Sequence, residues 1–286
     1  MTRTPFDQFS KQLLEEFLSP FGSVERSFEI PGEDRQVDVY FIPKPQTTIA
    51  PQTLGLLGQI LTTPCLLEPF RNAPSVTEIR HCRLKLLLLQ ANLQRQAKRD
   101  NITVSETQLP HLWILTPSAS ANTLNGFGAK PKPPWPSGIY HFRVHFKTTI
   151  IVINQLPKTP ETLWLRLLGK GKVQREAISE LLALPKNEPL RSTALQLLAN
   201  WKIALDYSGI DEQGELSMQL TQAYLEWEQK TKRQGHEEGR EEGREEGREA
   251  KQLEIALKLL QLGLSIELVA EGTGLSLEQV QQLQQR

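Results

Sequence analysis

Cysteine is nearly absent from the 286 residues: only Cys65 and Cys82 occur. Two thiols cannot staple a small disulfide fold, and His81 beside Cys82 does not complete the four-ligand spacing of a structural zinc site. Both are expected to be buried, as free cysteine commonly is. An excess of charge is absent too: 33 Lys and Arg balance 33 Asp and Glu. That excludes attachment to nucleic acid through bulk positive charge and leaves only a local basic face. Long apolar runs are missing. Leu86–Leu89 is typical of the longest, far short of a membrane span. The first ten residues lack an apolar core, so no secretory signal is expected and the chain reads as cytoplasmic and reduced. No glycine-rich phosphate cradle is present either. Gly169-Lys170-Gly171-Lys172 lacks both the spacing and the preceding strand that such a loop needs. The five histidines are scattered, and no Ser/His/Asp arrangement is recognisable.

What is there is ordered. The apolar share of 38% and charged share of 23% are those of a globular protein. Phe6, Phe9, Leu13, Leu14 and Phe17 recur at helical spacing, predicting a helix over 6–18. Residues 24–30 and 36–42 predict two strands joined by a Pro31-Gly32 turn. In the second strand, Val37, Val39 and Phe41 alternate with Asp38, Tyr40 and Ile42. A short helix is expected over 54–61 and a third strand over 65–70. A long helix follows over 75–99, opened by a capping box of Ser75 and Glu78. Leu112–Leu115 predicts a buried strand, 117–138 a surface loop, and 139–144 and 148–153 two more strands. Beyond residue 159 the period becomes helical. The order α-β-β-β-α-β favours an α/β layer with a mixed sheet.

Two carboxylates fall on neighbouring strands, Asp38 on the second and Glu68 on the third. Strands adjacent in sequence commonly pair, so the two can meet at one sheet edge. Glu68 lies among Cys65, Leu66, Leu67 and Phe70, where an unpaired carboxylate is costly to bury. A metal ion would offset that cost. Mg²⁺ suits one or two carboxylates, waters and substrate phosphate. The plain alternatives are a solvent-facing Asp38, a Glu68 that pairs with Arg71 at a strand end, and glutamates on a wet helix face.

The element order, with Glu15 or Glu16 in the first helix, Asp38 and Glu68, resembles the PD-(D/E)XK nuclease-like superfamily. More narrowly, FDQFSKQLLEEFLSPF, QVDVYFIP, LLEPFR, TPETLWLRLLGKGKVQREAISELLALP and EEGREEGREEGR are similar to cyanobacterial members of the recombination-promoting nuclease and transposase-like group. The resemblance covers about residues 5–205 in general order, plus the tail. It implies a restriction-endonuclease-like core that hydrolyses DNA with Mg²⁺, with Asp38 and Glu68 as metal ligands and Glu16 orienting a ligand or water. The family pattern places Lys two residues after the Glu, and here that position is Phe70. Arg71, or Arg80 and Lys85 from the next helix, are candidate replacements. The alternatives are a catalytically inactive nuclease-fold scaffold and a helical interaction protein. The latter is suggested only by the likeness of the charge repeat to flagellar assembly protein H.

Along the helix over 75–99, Arg80, Arg83 and Lys98 are candidate contacts to DNA phosphates, and Lys130, Lys132, Arg143 and Lys147 follow downstream. A solvated helix face is the plain reading of the same residues.

In HEEGREEGREEGREA (236–250), each Glu–Arg pair adds about 0.2–0.5 kcal/mol to a helix. Gly239, Gly243 and Gly247 each cost about 1 kcal/mol against alanine. A lone helix is therefore marginal and depends on its flanks. The glycine stripe would permit close approach of a second copy, a homo-oligomer contact set against the plain reading of a solvated spacer. LSIELVAEGTGLSLEQVQQL resembles a helix-turn-helix. Its second helix has no Lys or Arg before Arg286, so a packing or protein-binding module is the competing reading. The expected division is 1–157 as the α/β core, 158–234 as a helical extension, 235–250 as a charged linker or helix, and 251–286 as a small helical tail.

Overall fold

Pro5 opens the first helix, where its missing N–H costs nothing, and Thr4 caps it by accepting from the Asp7 amide. This helix, α1 (Pro5–Leu18), leads a computed structural model that describes residues 4–30, 36–44, 51–208 and 215–284. The chain divides into two units, Met1–Trp227 and Glu228–Arg286.

In the first unit, α1 is followed by β1 (Gly22–Glu29), β2 (Gln36–Pro43), α2 (Leu56–Gln59), β3 (Cys65–Pro69), α3 (Val76–Arg99) and β4 (His111–Thr116). Then come α4 (Ala121–Gly126), β5 (Ile139–His141), β6 (Thr148–Val152), α5 (Leu163–Arg166), α6 (Lys172–Ala183) and α7 (Arg191–Ser208). The strands form a mixed six-stranded sheet in the order β1-β2-β3-β4-β6-β5, so the chain is an α/β protein. β1 with β2 and β2 with β3 pair antiparallel, β3 with β4 and β4 with β6 pair parallel, and β5 pairs antiparallel with β6 at the far edge. A parallel pair needs a long crossover, and α3 supplies it between β3 and β4.

The sheet is covered on both faces. On one, Val39, Phe41, Leu67 and Trp113 pack with α1, α5, α6 and α7. There Phe9 stacks on Trp201 with ring centroids 4.6 Å apart. On the other, Tyr40, Leu66, Ile114 and Ile150 pack with Ile79, Cys82, Leu86 and Leu89 of α3. β3 is buried along its whole length, as a parallel strand covered on both faces should be. Both cysteines are buried as free thiols.

The simple alternation expected for β2 breaks at one point. Val37 packs with Tyr40 and Leu66, on the side opposite Val39. The cause lies across the strand pair. Register runs Phe28↔Val37 and Arg26↔Val39, and between them Ser27 takes a left-handed backbone with φ of 53°. One left-handed residue reverses the alternation in both strands, so Phe28 turns to the ring of Tyr40. Asp38 sits opposite this kink.

Other expectations are displaced locally. The region 54–61 is not one helix but α2 between two 3₁₀ turns, Pro51–Leu54 and Ile60–Thr62. Within the expected loop 117–138, Ser120 caps α4 by accepting from the Thr123 amide. β5 ends at His141, because a 3₁₀ turn at Val144–Phe146 and a left-handed Lys147 redirect the chain into β6. The Pro31-Gly32 turn, most of the loop at 43–50 and the break at Gly209 to Gly214 lie outside the described residues. The Ser75–Glu78 capping box is present in full. Ser75→Ala should therefore lower stability by about 1 kcal/mol, read as a shift of the urea unfolding midpoint with an unchanged slope.

The helix α8 (Glu215–Gln261) carries the Glu-Gly-Arg repeat on helical backbone. It is followed in the second unit by α9 (Ile266–Thr273) and α10 (Leu277–Gln284). No described helix is long and apolar enough to cross a membrane.

Candidate active site and helix-turn-helix tail

Continuing the β2–β3 register one pair beyond Val39↔Leu67 sets Asp38 opposite Glu68. Glu68 lies on the α3 side of β3, since Leu67 before it faces α1 and successive strand residues alternate. The Lys85 ammonium of α3 donates to both of its oxygens at 2.9 Å. This pair is deep: the Glu68 and Lys85 side chains are 2% and 6% exposed. Asp38, at the kink, is reached from the α1 side, where Lys11 Nζ lies 2.8 Å from its carboxylate and 3.1 Å from Asp7. The Asp38 and Lys11 side chains are 17% and 16% exposed. The cluster therefore has a mouth at Asp7, Lys11 and Asp38 and a floor at Glu68 and Lys85.

Electrostatics follow from this geometry. Burial pushes the Glu68 carboxyl well above the usual carboxylate range, and the Asp38 carboxylate, within hydrogen-bond reach, pushes it further. Lys85 opposes both but does not cancel them. Burial alone would lower Lys85, yet Glu68 and Cys82 beside it hold the ammonium above its ordinary value. Three carboxylates, Asp7, Asp38 and Glu68, face the two ammonium groups of Lys11 and Lys85. The cluster thus holds one acid more than its cations balance, in keeping with the raised Glu68 carboxyl.

The other sequence candidates lie elsewhere. Glu16 is exposed on α1, and its neighbour Glu15 pairs with Arg26 at 2.7 Å. Glu16 stands five residues past Lys11, nearly half a turn around the helix, so the first helix reaches the site through Asp7 and Lys11. Arg71 does not meet Glu68. It donates to Gly169 O and Gln174 Oε1, and its guanidinium lies over the rings of Phe6 and Trp201. That clamp ties the end of β3 to α1, α6 and α7. Phe70, at the expected lysine position, packs into the α3-side core. Arg80 and Lys98 are exposed five turns apart on one side of α3, about 27 Å. Arg83 lies over the rings of Phe142 and Phe146.

Two signals could have separated these residues. Ile79, Cys82, Leu86 and Leu89 define the buried stripe of α3. Lys85 lies three residues after Cys82 and four before Leu89, on that stripe, whereas Arg80 lies off it. Lys11 follows Asp7 by four residues in a helix whose inner face must pass beside the second strand.

As a donor set, Asp38 and Glu68 offer hard oxygen ligands of the kind Mg²⁺ takes. Among the described residues no third His, Cys, Asp or Glu joins them in a ligand group, so other ligands would come from water and substrate.

In the second unit, Ala256, Val269 and Val280 form a small core with Leu259, Leu260, Ile266 and Leu275. Ser265 caps α9, and Gly274, left-handed at φ of 74°, ends it. The end of α8 with α9 and α10 thus forms a short helix-turn-helix.

An α/β unit with a three-carboxylate, two-lysine cluster and a helix-turn-helix tail is thereby defined. Residues 249–285 match the family model described as the Rpn/YhgA-like nuclease family, C-terminal HTH domain. That match covers the tail and supports a relation to this nuclease family in general. No curated protein and no solved structure matches the chain.

Proposed function

We propose that the first unit is a PD-(D/E)XK-type, restriction-endonuclease-like core that hydrolyses a DNA phosphodiester with Mg²⁺, and that the tail is a DNA-binding module. The observation that carries this reading is the approach of the Asp38 carboxylate to Glu68, within hydrogen-bond reach, with Lys85 donating to both Glu68 oxygens. Asp38 and Glu68 would hold the metal. When bound, Mg²⁺ polarises the phosphate and makes water a better nucleophile. Lys85 takes the part of the lysine that Phe70 displaces. It fixes the Glu68 carboxylate and sets a positive charge where the phosphate gains negative charge. Lys11 orients Asp38 at the mouth. Arg80 and Lys98 lie on one exposed side of α3, suited to contact with the DNA backbone.

A second reading rests on one observation. Each carboxylate already has its own ammonium partner, Lys11 for Asp38 and Lys85 for Glu68. On that reading the cluster is a structural ion-pair network in an inactive nuclease-fold scaffold. Nicking of supercoiled plasmid in Mg²⁺ or Mn²⁺ separates the two. The nuclease reading expects nicking by wild type and none by Asp38→Ala or Glu68→Gln. Equal, metal-independent behaviour of all three would leave the scaffold.

Metal uptake should also be linked to protons. Glu68 has its carboxyl pushed up by burial and by Asp38, and a metal needs it ionised. Apparent Mn²⁺ affinity should therefore weaken as pH falls through that raised value. Calorimetry in two buffers of different ionisation enthalpy should show proton release on binding, and identical heats in both would refute the linkage.

A further inference from the structure

A cleft of about 530 Å³ opens where the starts of β4 and β6 meet β5. Lys130, Lys132, Arg143 and Lys147 line it, and among the described residues no Asp or Glu does. Of these, Lys147 has an acidic neighbour, Glu106, at 3.7 Å. A concave surface with one sign of charge concentrates anions.

The two histidines of the cleft's lining are joined by a hydroxyl. His111 Nε2 and His141 Nδ1 lie 2.9 and 3.0 Å from Thr149 Oγ1. A hydroxyl has one proton to give and two lone pairs to accept with, so Thr149 donates to at most one of the two rings and accepts from at least one. Each ring is held below its ordinary pKa, first by burial and then by a lysine: Lys147 beside His111, Lys132 beside His141. The two rings therefore favour the neutral form, with a lysine near each. Among the described residues, His141 Nε2 is buried without a hydrogen-bond partner, and so is the indole N–H of Trp113, whose ring packs on both histidines. Buried polar atoms left unpaired are costly and rare.

We propose that this cleft binds a phosphate group, with the backbone of a nucleic-acid strand as its source. Unbalanced cations supply the attraction, and the histidine–threonine–histidine floor supplies neutral hydrogen-bonding groups. The cleft is separate from the carboxylate cluster. Thr149 pairs in register with Trp113 and Leu67, on the sheet face opposite Glu68, Ile114 and Ile150. It would hold a strand without touching the reacting bond. The source of the phosphate rests on the nucleic-acid reading above; the binding itself does not depend on metal chemistry.

The test uses the full chain with ¹⁵N-labelled histidine, followed by NMR. The probes are inorganic phosphate and a short oligodeoxynucleotide without terminal phosphates. Saturable movement of the His111 and His141 ring signals is expected. Lys130→Ala with Lys132→Ala should weaken it about tenfold and reduce the log–log salt slope of oligonucleotide binding by about one per lysine. Asp38→Ala should leave it unchanged. Movement with the oligonucleotide assigns the backbone phosphate. Movement with inorganic phosphate alone keeps the phosphate site and assigns a free phosphate instead. No movement with either probe, or movement indifferent to the two lysines, overturns the proposal. Absent nicking with an intact cleft response would remove the nuclease reading alone.

Discussion

Lys85→Ala should destabilise the fold by about 3–5 kcal/mol at neutral pH, the usual cost of removing one partner from a buried ion pair. Glu68 is then left in a dry site with Asp38 beside it and no ammonium on its oxygens. Its only relief is to take up a proton. The mutant should therefore regain stability as pH falls. A carboxyl whose folded pKa lies above its unfolded value favours folding most below the unfolded value, and loses that contribution as pH rises through the folded one. The window runs from the ordinary carboxylate range up past the raised value. Urea unfolding of wild type and Lys85→Ala across that window should show curves that converge at the acid end. Replacing both partners, Glu68→Leu with Lys85→Met, should recover most of the loss. A pH-independent deficit would show that the lysine acts by packing alone.

Asp38→Ala should do the reverse: leave the fold nearly intact and remove the chemistry. Its carboxylate lies at the mouth rather than the floor, and Lys11 keeps Asp7 as a partner. Its loss also relieves the repulsion on Glu68, which strengthens the pair with Lys85. Metal-dependent nicking should fall by about a hundredfold or more, because the site loses one of two protein ligands and the charge it fixes. Unfolding free energy should change by about 1 kcal/mol or less, as for a partly solvated pair. Stability and activity thus separate across one cluster: the Lys85 substitution moves both, the Asp38 substitution only the second.

Much of this cluster was legible because its parts obey local rules. Asp38 and Glu68 sit on strands consecutive in the chain, and such strands pair, so their approach needed no long-range information. The long helix announced itself by its capping box, and its boundary at Ser75 follows from that chemistry. Lys85 could be named only as one basic residue among several, yet its place on the stripe of Cys82, Leu86 and Leu89 distinguishes it from Arg80. The rest was hidden for physical reasons. Nothing in the side chain of Ser27 announces a left-handed backbone, so the reversal that turns Val37 away from Val39 could not be read. The resemblance points to Glu15 or Glu16 as the acid of the first helix. In the structure the helix meets Asp38 through Lys11, and the acid it brings to the cluster is Asp7, behind that lysine. Arg71 follows Glu68 closely in sequence, but the chain leaves the strand at Pro69 and carries it to Phe6 and Trp201. The link from His111 to His141 through Thr149 joins three strands, and no spacing in the sequence encodes it.

Calorimetric titration of the full chain with Mn²⁺, beside Asp38→Ala, tests the central claim most directly. Asp38 and Glu68 as a metal-holding pair predict saturable binding by wild type and its loss in Asp38→Ala with the fold retained. Wild type without measurable binding, or binding unaltered by Asp38→Ala, would contradict it.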